Sequence, residues 1–405
     1  MILAVASCLS LAVSASAANT TARRATDFRD FDKSAWYAEA VSAAVDNGLL
    51  YGKSSTVIDL NGDMTRAEMA AIINRSFGCY KAADISQYKD VSKDKWYYKD
   101  IALAAQMGTY NGRSSSAMAP DAPISRQEAM SVVARALELD YDSYSKTDLS
   151  AFSDREISNW ALPYVRAMVG ADYIHGRGKI LAPQEHITRS EFAQIFHNII
   201  GSYITVKGIY DKDIKGSVLI RTDDVTFKDM TVDGDFIVGC GAADGKIVLD
   251  NVTVKGRLLV WGGGTKAVYC NNGTNTPEVI AARVDDAVKI IFDRDSTLAV
   301  IDTIKTRITE RAKQHKETEI IFYDVSGLRE AQKQLNAIVA DNQLSIVAPA
   351  HLYAIVGEQS VKAEFTNNSK NDTYKIEIRR NKDNALIADA FELAAGKSIS
   401  TLTLL

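Results

Sequence analysis

The chain has 405 residues, a formal net charge of −4 at pH 7 and 24% charged residues. This length allows two to four domains. Because the chain carries no basic run, nucleic acid is not an expected partner, and an anionic ligand would have to be held by a few placed arginines.

The N-terminus has the pattern of a secretory signal peptide. Residues 1–17 are small and apolar and end in Ala15-Ser16-Ala17, an Ala-x-Ala cleavage site. The usual basic start is missing, so we expect the true start to lie upstream. Residues 5–8 also resemble a lipoprotein box around Cys8, an alternative we place below simple cleavage because little apolar chain precedes it. No other stretch reaches the roughly 18 apolar residues of a membrane span, so none is expected in the mature chain.

Cysteines and metal motifs are sparse. After such a cleavage Cys79, Cys240 and Cys270 remain, and an odd number at wide spacing argues against a disulfide framework. Zinc-site spacings are missing. Residues 59–63 carry calcium-ligand residue types but lack the EF-hand frame, which favours a polar turn. We therefore expect neither a metal nor a cofactor.

One pattern occurs three times at a period of about 60 residues. Each copy has an aromatic-x-Asp, a Trp six residues after the Asp, a Gly sixteen residues after the Trp, and then Ser/Thr-Arg-x-Glu. The aspartates are Asp30, Asp90 and Asp154, the tryptophans are Trp36, Trp96 and Trp160, and the arginines are Arg66, Arg126 and Arg189. Such a repeat predicts three copies of one small unit, side by side.

Each copy predicts two helices. In the first copy an apolar stripe from Tyr37 to Val45 indicates a helix that ends at Gly48. Thr65-Arg66-Ala67-Glu68 then fits a capping box at the start of a second helix. A unit of roughly 50 residues buries little surface alone, so the three copies are expected to share one core.

This arrangement resembles the S-layer homology domain. The resemblance covers residues 27 to 200, with copies at 27–82, 87–140 and 149–201. It implies one pseudo-threefold α-helical bundle. It also implies noncovalent attachment to pyruvylated secondary cell-wall polysaccharide, in grooves that lie between adjacent copies and use the motif arginine.

The repeated positions supply the candidate polysaccharide-binding residues. An arginine in the first turn of a capped helix adds a planar fork to free N–H groups, which suits a carboxylate. A solvated side chain or a salt bridge to the neighbouring copy are the alternatives. The tryptophans are either sugar platforms or packing residues, and the basic residue after the second glycine faces either an anion or solvent. The candidates are Asp30, Trp36, Gly48, Lys53, Arg66, Asp90, Trp96, Gly108, Arg113, Arg126, Asp154, Trp160, Arg177 and Arg189.

The third copy departs from the pattern at Asp172, where the others have Gly48 and Gly108. Glycine permits a left-handed backbone and close ligand approach. An aspartate adopts that conformation less readily, and its charge would repel a pyruvyl carboxylate. The groove that uses Asp172 is therefore predicted to be weak.

Residues 203–325 predict a parallel β-solenoid. Residues 225–238 align with 247–260 at an offset of 22, and Ile290 to Ile301 resembles a later turn. Asp229, Asp233, Asp235 and Asp250 are the carboxylates that a β-helix glycan-cleaving enzyme would use. Asp229 aligns with Asn251 and Asp233 with Lys255, as expected of exposed corners, so an enzyme is not the favoured interpretation.

The rest of the chain predicts a helix over 326–343, which would cover an end of the solenoid, and a β-rich segment over 344–405. The latter suits an immunoglobulin-like sandwich that is partial, because such domains need about 100 residues.

The sequence thus predicts a multidomain α + β protein: a helical repeat bundle, a parallel solenoid and a partial sandwich. We expect a secreted surface protein at the cell wall or S-layer of a Gram-positive-type bacterium. The repeats would bind wall polysaccharide, and the remainder would form a stalk or adhesive region. The alternatives are a wall-attached polysaccharide-degrading enzyme and a lattice subunit that self-associates in a surface layer.

Overall fold

The computed structural model describes residues 23–264, 268–326, 344–347, 360–376 and 391–404. The signal peptide predicted over 1–17, the lipoprotein box at Cys8 and nearly all of the helix predicted over 326–343 lie outside the described residues. Within the described part of the chain, no helix is both long and apolar enough to cross a membrane.

Each repeat copy folds into two α-helices. These are α1 (Ala38–Asp46) and α2 (Arg66–Phe77), α3 (Tyr98–Met107) and α4 (Arg126–Ala136), and α5 (Leu162–Gly170) and α6 (Arg189–Ile199). The second helix of every copy begins at a capping box, as predicted. In the first copy the Thr65 hydroxyl accepts from the Glu68 N–H at 3.2 Å, and the Glu68 carboxylate accepts from the Thr65 N–H at 2.9 Å.

The three copies close into a ring around a pseudo-threefold axis. Three backbone hydrogen bonds connect the copies in a cycle. The Met64 N–H donates to the Ile187 carbonyl at 2.9 Å, the Ile187 N–H to the Ile124 carbonyl at 3.1 Å, and the Ile124 N–H to the Met64 carbonyl at 2.9 Å. All three side chains are buried. The second helix of each copy packs on the first helix of the next, α2 on α3, α4 on α5 and α6 on α1. The predicted shared core follows from this cyclic packing.

After α6 the chain alternates between two sheets. The first comprises β1 (Ile200–Ile204), β3 (Ser217–Ile220), β5 (Phe236–Val238), β7 (Arg257–Val260), β9 (Glu278–Ala281) and β11 (Lys305–Ile308). The second comprises β2 (Gly208–Tyr210), β4 (Val225–Val232), β6 (Ile247–Val254), β8 (Val268–Asn271), β10 (Lys289–Phe292) and β12 (Glu319–Phe322). Among the described strands, neighbours in both sheets are parallel, and Val225 pairs with Ile247 at the 22-residue offset noted above.

One predicted turn differs. The segment from Ile290 continues from β10 into a helix, α7 (Arg294–Val300). The Asp293 carboxylate caps this helix by accepting from the Ser296 N–H at 2.8 Å. An aspartate at this position favours a helix start over a continued strand.

The first sheet is covered on both faces. Phe236 and Val238 face the second sheet, in a core shared with Phe227 and Val252. The alternate residues join the core of the helical bundle, namely Leu219, Ile237, Leu259 and Ile280. The Trp261 indole N–H also donates to the Ala136 carbonyl at 3.0 Å. The bundle and the parallel sheets are therefore packed together.

The C-terminal strands are antiparallel. β13 (Leu344–Val347), β14 (Ser360–Asn367) and β17 (Ser398–Leu404) form one sheet, and β15 (Tyr374–Ile376) pairs with β16 (Phe391–Leu393). Antiparallel pairing is compatible with the proposed sandwich, and the immunoglobulin-like fold stays a prediction.

Candidate functional site

The three motif arginines are buried and each crosses to the next copy. The Arg66 guanidinium donates to the Met118 carbonyl at 2.9 Å and pairs with Glu128 at 2.9 Å. Arg126 pairs with Glu191 at 3.2 Å, and Arg189 pairs with Glu68 at 3.0 Å. The arginine side chains are 4–5% exposed. The structure thus shows the salt bridge to the neighbouring copy, which was one of the alternatives left open by the sequence. The three arginine–glutamate pairs form a closed ring, here called the arginine ring, that links all three copies.

Each motif glutamate is held by donors from three residues. Glu128 accepts from the Ser125 N–H at 2.9 Å, from Arg66 at 2.9 Å and from Arg113 at 3.2 Å. Burial acts to raise the pKa of Glu128, but the Ser125 N–H and the two guanidinium groups outweigh it, and the pKa lies below its ordinary value. The pKa values of Glu68 and Glu191 are lowered in the same way. The ring glutamates therefore stay ionised at neutral pH.

The basic residues after the second glycine lie at the rim and also contact these glutamates. Lys53 pairs with Glu68 at 2.5 Å, and Arg177 pairs with Glu191 at 2.6 Å. Their side chains remain partly exposed, so they could still meet a ligand. Arg177 has a second partner, Glu185, at 2.6 Å. The third copy therefore adds a carboxylate beside its rim arginine.

The repeated aspartates hold the loop that precedes each second helix. The Asp30 carboxylate accepts from the Ile58 N–H at 2.9 Å and from the Asp59 N–H at 2.7 Å. Asp90 does the same with Met118 and Ala119, and Asp154 with Leu181 and Ala182. Their contacts in this structure are internal to each copy.

The motif glycine and aromatic residue belong to the same loop. A Cβ on Gly52 would lie 2.4 Å from Phe28 Cε1, and a Cβ on Gly112 would lie 2.7 Å from Tyr88 Cε1. The aromatic ring fills the space where a side chain would stand. The spacing of the motif is therefore a packing requirement.

The three tryptophans are exposed. Trp36 is 64% exposed, Trp96 60% and Trp160 51%. The Trp96 ring meets Tyr97 edge-on, with ring centroids 5.4 Å apart. This exposure favours the sugar-platform interpretation over packing at the helix start.

A groove between copies 2 and 3, here called groove 2–3, brings several candidates together. Its main cavity is about 460 Å³. Arg135 on α4 lies over the Tyr164 ring of α5, 4.6 Å from the guanidinium carbon to the ring centroid. A smaller cavity of about 280 Å³ shares part of this lining. The residues that line the main cavity include Arg66, Arg113, Glu128, Arg135, Trp160 and Tyr164.

The two glycines singled out by the repeat lie elsewhere. Gly108 is left-handed, with φ 77°, and a Cβ there would run into Arg311, so the sheet segment covers it. Gly48 lines a separate cavity of about 350 Å³. Asp172 adopts the same left-handed backbone, with φ 62°, and its exposed carboxylate lies 3.5 Å from His175. Gly108, the copy-2 counterpart of Asp172, is thus outside the lining of groove 2–3.

Sequence reasoning missed one position that distinguishes the grooves. Seven residues after the motif glutamate stand Arg75, Arg135 and Asn198. Arg75 lies over the Tyr51 ring at 4.1 Å, much as Arg135 lies over Tyr164. Because the third copy has Asn198 at this position, the groove between copies 3 and 1 lacks the corresponding cation. Aligning the three repeats would have revealed this difference from the sequence alone.

Comparison with known proteins agrees with this architecture. The family model of the S-layer homology domain matches residues 27–70, 87–130 and 151–193. The repeat region therefore consists of three S-layer homology domains, which indicate cell-wall anchoring.

Individual relatives are surface proteins and glycan-active enzymes. The chain is 34% identical over 182 residues to a Surface-layer 125 kDa protein of Lysinibacillus sphaericus, covering 44% of this chain and 15% of that protein. It is 27% identical over 182 residues to Exoglucanase XynX of Acetivibrio thermocellus, covering 44% and 16%. It is 25% identical over 307 residues to a Cell surface protein of Thermoanaerobacter kivui, covering 73% and 37%. The chain thus spans well under half of the length of these relatives. Together with the S-layer homology domains, the surface-protein relatives indicate a secreted, cell-wall-attached surface protein.

Proposed function

We propose that the three domains anchor the chain to an acidic cell-wall polysaccharide and that groove 2–3 is the principal site. The observation that carries this proposal is the exposed indole of Trp160 in the same groove as Arg113 and Arg135. An indole offers an apolar face to a sugar ring, and guanidinium groups suit a carboxylate.

The charge balance ranks the three grooves. Groove 2–3 has three guanidinium groups, from Arg66, Arg113 and Arg135, against the single carboxylate of Glu128. One of the three positive charges balances the negative charge of Glu128, so two positive charges remain for an anionic ligand. The surroundings are part apolar, which strengthens a charge–charge contact relative to water.

The other two grooves are less positive. In groove 3–1, between copies 3 and 1, Arg126 and Arg177 are balanced by Glu185 and Glu191, and Asn198 adds no charge. In groove 1–2, between copies 1 and 2, Lys53 and Arg189 pair with Glu68, and Arg75 lies over the Tyr51 ring. Asp100 stands at the repeat position of Tyr164 and accepts from Asn74 on α2 at 3.2 Å. We therefore propose the affinity order 2–3, then 1–2, then 3–1.

The ligand that best suits groove 2–3 is a pyruvylated sugar. A pyruvyl ketal presents a carboxylate and a methyl group side by side. The groove offers Arg113 and Arg135 for the carboxylate, and Val132 and Tyr164 for the methyl group. This supports the pyruvylated secondary cell-wall polysaccharide that the family resemblance implies.

The test compares Trp160→Ala with Trp36→Ala in the mature chain, titrated onto purified cell walls. Trp36 holds the same repeat position in groove 3–1 and is also exposed, at 64% against 51% for Trp160, so it is a matched control. We expect Trp160→Ala to weaken binding about tenfold or more, as loss of a central aromatic anchor does, and Trp36→Ala to have a much smaller effect. Walls stripped of pyruvyl groups should lose binding. Equal losses in the two variants would refute the ranking, and unchanged binding to stripped walls would refute the pyruvyl assignment.

For the parallel-sheet segment we propose a spacer or stalk. Each of the four carboxylates that an enzyme would need makes a hydrogen bond or ion pair with a side chain 22 residues later. Asp229 accepts from Asn251 at 2.8 Å and Asp233 pairs with Lys255 at 2.7 Å. Asp235 pairs with Arg257, and Asp250 accepts from Asn272. This pairing supports a structural role, and turnover of wall polysaccharide by the mature chain would contradict it.

A further inference from the structure

Two cysteines that are distant in sequence have their sulfur atoms in contact. Cys79 follows α2 and Cys240 follows β5, 161 positions later, and their Sγ atoms are 3.4 Å apart. The third described cysteine, Cys270, is fully buried in the core between the sheets. The pair therefore lies on the contact between the helical bundle and the first sheet.

The backbones around the pair are close as well. Gly78 ends α2 in the left-handed region, with φ 68°, and a Cβ there would lie 2.8 Å from the Gly241 Cα. The glycines next to the two cysteines thus face each other without side chains between them. A disulfide needs Cα atoms about 4.4–6.8 Å apart and an S–S bond of about 2.05 Å. Backbones this close bring the two sulfurs within reach of that bond.

Neighbouring contacts hold the segment after Cys79 against the parallel sheets. The Tyr80 hydroxyl donates to Asp285 at 3.1 Å, and Lys81 pairs with the same carboxylate at 3.2 Å. Asp285 is held in turn by Arg283 at 3.0 Å. The segment after Cys79 is therefore attached to the sheets whether or not the sulfurs are bonded.

We propose that Cys79 and Cys240 form a disulfide in the secreted protein and thereby cross-link the anchoring bundle to the parallel sheets. Two S–H bonds break and one S–S bond forms. Two electrons and two protons pass to a disulfide oxidant, either a thiol oxidoreductase or a small disulfide, which is reduced to two thiols. Export to an oxidising environment supplies such conditions. Wide spacing argued against a disulfide in the sequence, but the fold brings these two cysteines together.

The bond forms most readily before the site closes. The thiol of Cys240 beside it, together with burial, raises the pKa of Cys79 well above the ordinary value. Thiolate is the reactive form in disulfide exchange, so it is scarce once the reduced protein has folded. Oxidation is therefore expected during folding and slow afterwards.

The first test is disulfide mapping of the mature chain refolded with oxidised and reduced glutathione. Free thiols are alkylated, and unreduced peptides are analysed by mass spectrometry. We expect one cross-linked peptide pair that contains Cys79 and Cys240, with Cys270 alkylated only after denaturation. Alkylation of both Cys79 and Cys240 after oxidative refolding, or a cross-link between two chains, would overturn the proposal.

The second test measures the midpoint of thermal unfolding with and without reductant. A bond that closes so long a loop is expected to raise the midpoint of the oxidised wild type by roughly 5–15 °C. Cys270→Ser is the matched control and should keep this difference, whereas Cys240→Ser should abolish it. A midpoint that does not respond to reductant in the wild type, or that responds equally in Cys240→Ser, would contradict the cross-link.

Discussion

The arginine ring predicts that a substitution at Arg126, which is outside the lining of the principal groove, destabilises the whole bundle. Arg126 lies in groove 3–1 and is buried, and its Nε donates to the Leu181 carbonyl at 3.0 Å while the guanidinium pairs with Glu191 at 3.2 Å. Arg126→Ala leaves the Leu181 carbonyl without this donor. It also removes one of the two arginines that balance the charge of Glu191.

The magnitude follows from these contacts. Removing one member of a buried ion pair costs about 3–5 kcal/mol. Arg177 still pairs with Glu191 at 2.6 Å, which lowers the cost, so we expect about 2–4 kcal/mol in the free energy of unfolding. For a domain of this size that corresponds to a fall in the unfolding midpoint of roughly 4–16 °C.

The assay is urea unfolding followed by circular dichroism, with Arg177→Ala as the matched control. Arg177 contacts the same glutamate from the exposed rim, where removing a salt bridge costs about 0–1 kcal/mol. If Arg126→Ala cost no more than Arg177→Ala, the ring would not hold the copies together. Arg66 and Arg189 occupy the same position in the ring, so their alanine variants should be destabilised as well. A loss of wall binding in those variants identifies a ligand contact only if their stability is unchanged.

Three further outcomes are expected. The lowered pKa values of the ring glutamates contribute stability that is present above the unfolded value of 4.5 and is lost as pH falls through the lower folded values. Urea midpoints should therefore be steady from pH 6 to pH 5 and drop between pH 4.5 and pH 3, and less so in Glu128→Gln. Gly112→Ala forces a Cβ to 2.7 Å from Tyr88 and should cost about 1–3 kcal/mol in thermal unfolding. Asp233→Ala removes only an exposed pair with Lys255; a change beyond about 0.5 kcal/mol in urea unfolding would contradict that role.

The sequence alone determined the features that depend on local chemistry. The capping boxes at Thr65, Ser125 and Thr188 place the second helices, because a cap and its glutamate are three residues apart. The 22-residue offset between Val225 and Ile247 predicted strand pairing in register. The threefold repeat likewise indicated one shared core, since a single copy buries too little surface.

Only the tertiary structure decided which groups meet across copies. Arg66 finds Glu128 62 positions away, and Cys79 finds Cys240 161 positions away, distances over which sequence spacing carries no information about contact. The repeat pattern marked Arg66 and Arg113 equally as candidates, yet packing buries the first in the ring and leaves the second at the rim. Sequence supplied the residue types at each repeated position, and the cyclic packing of the three copies determined which of them remain available to a ligand.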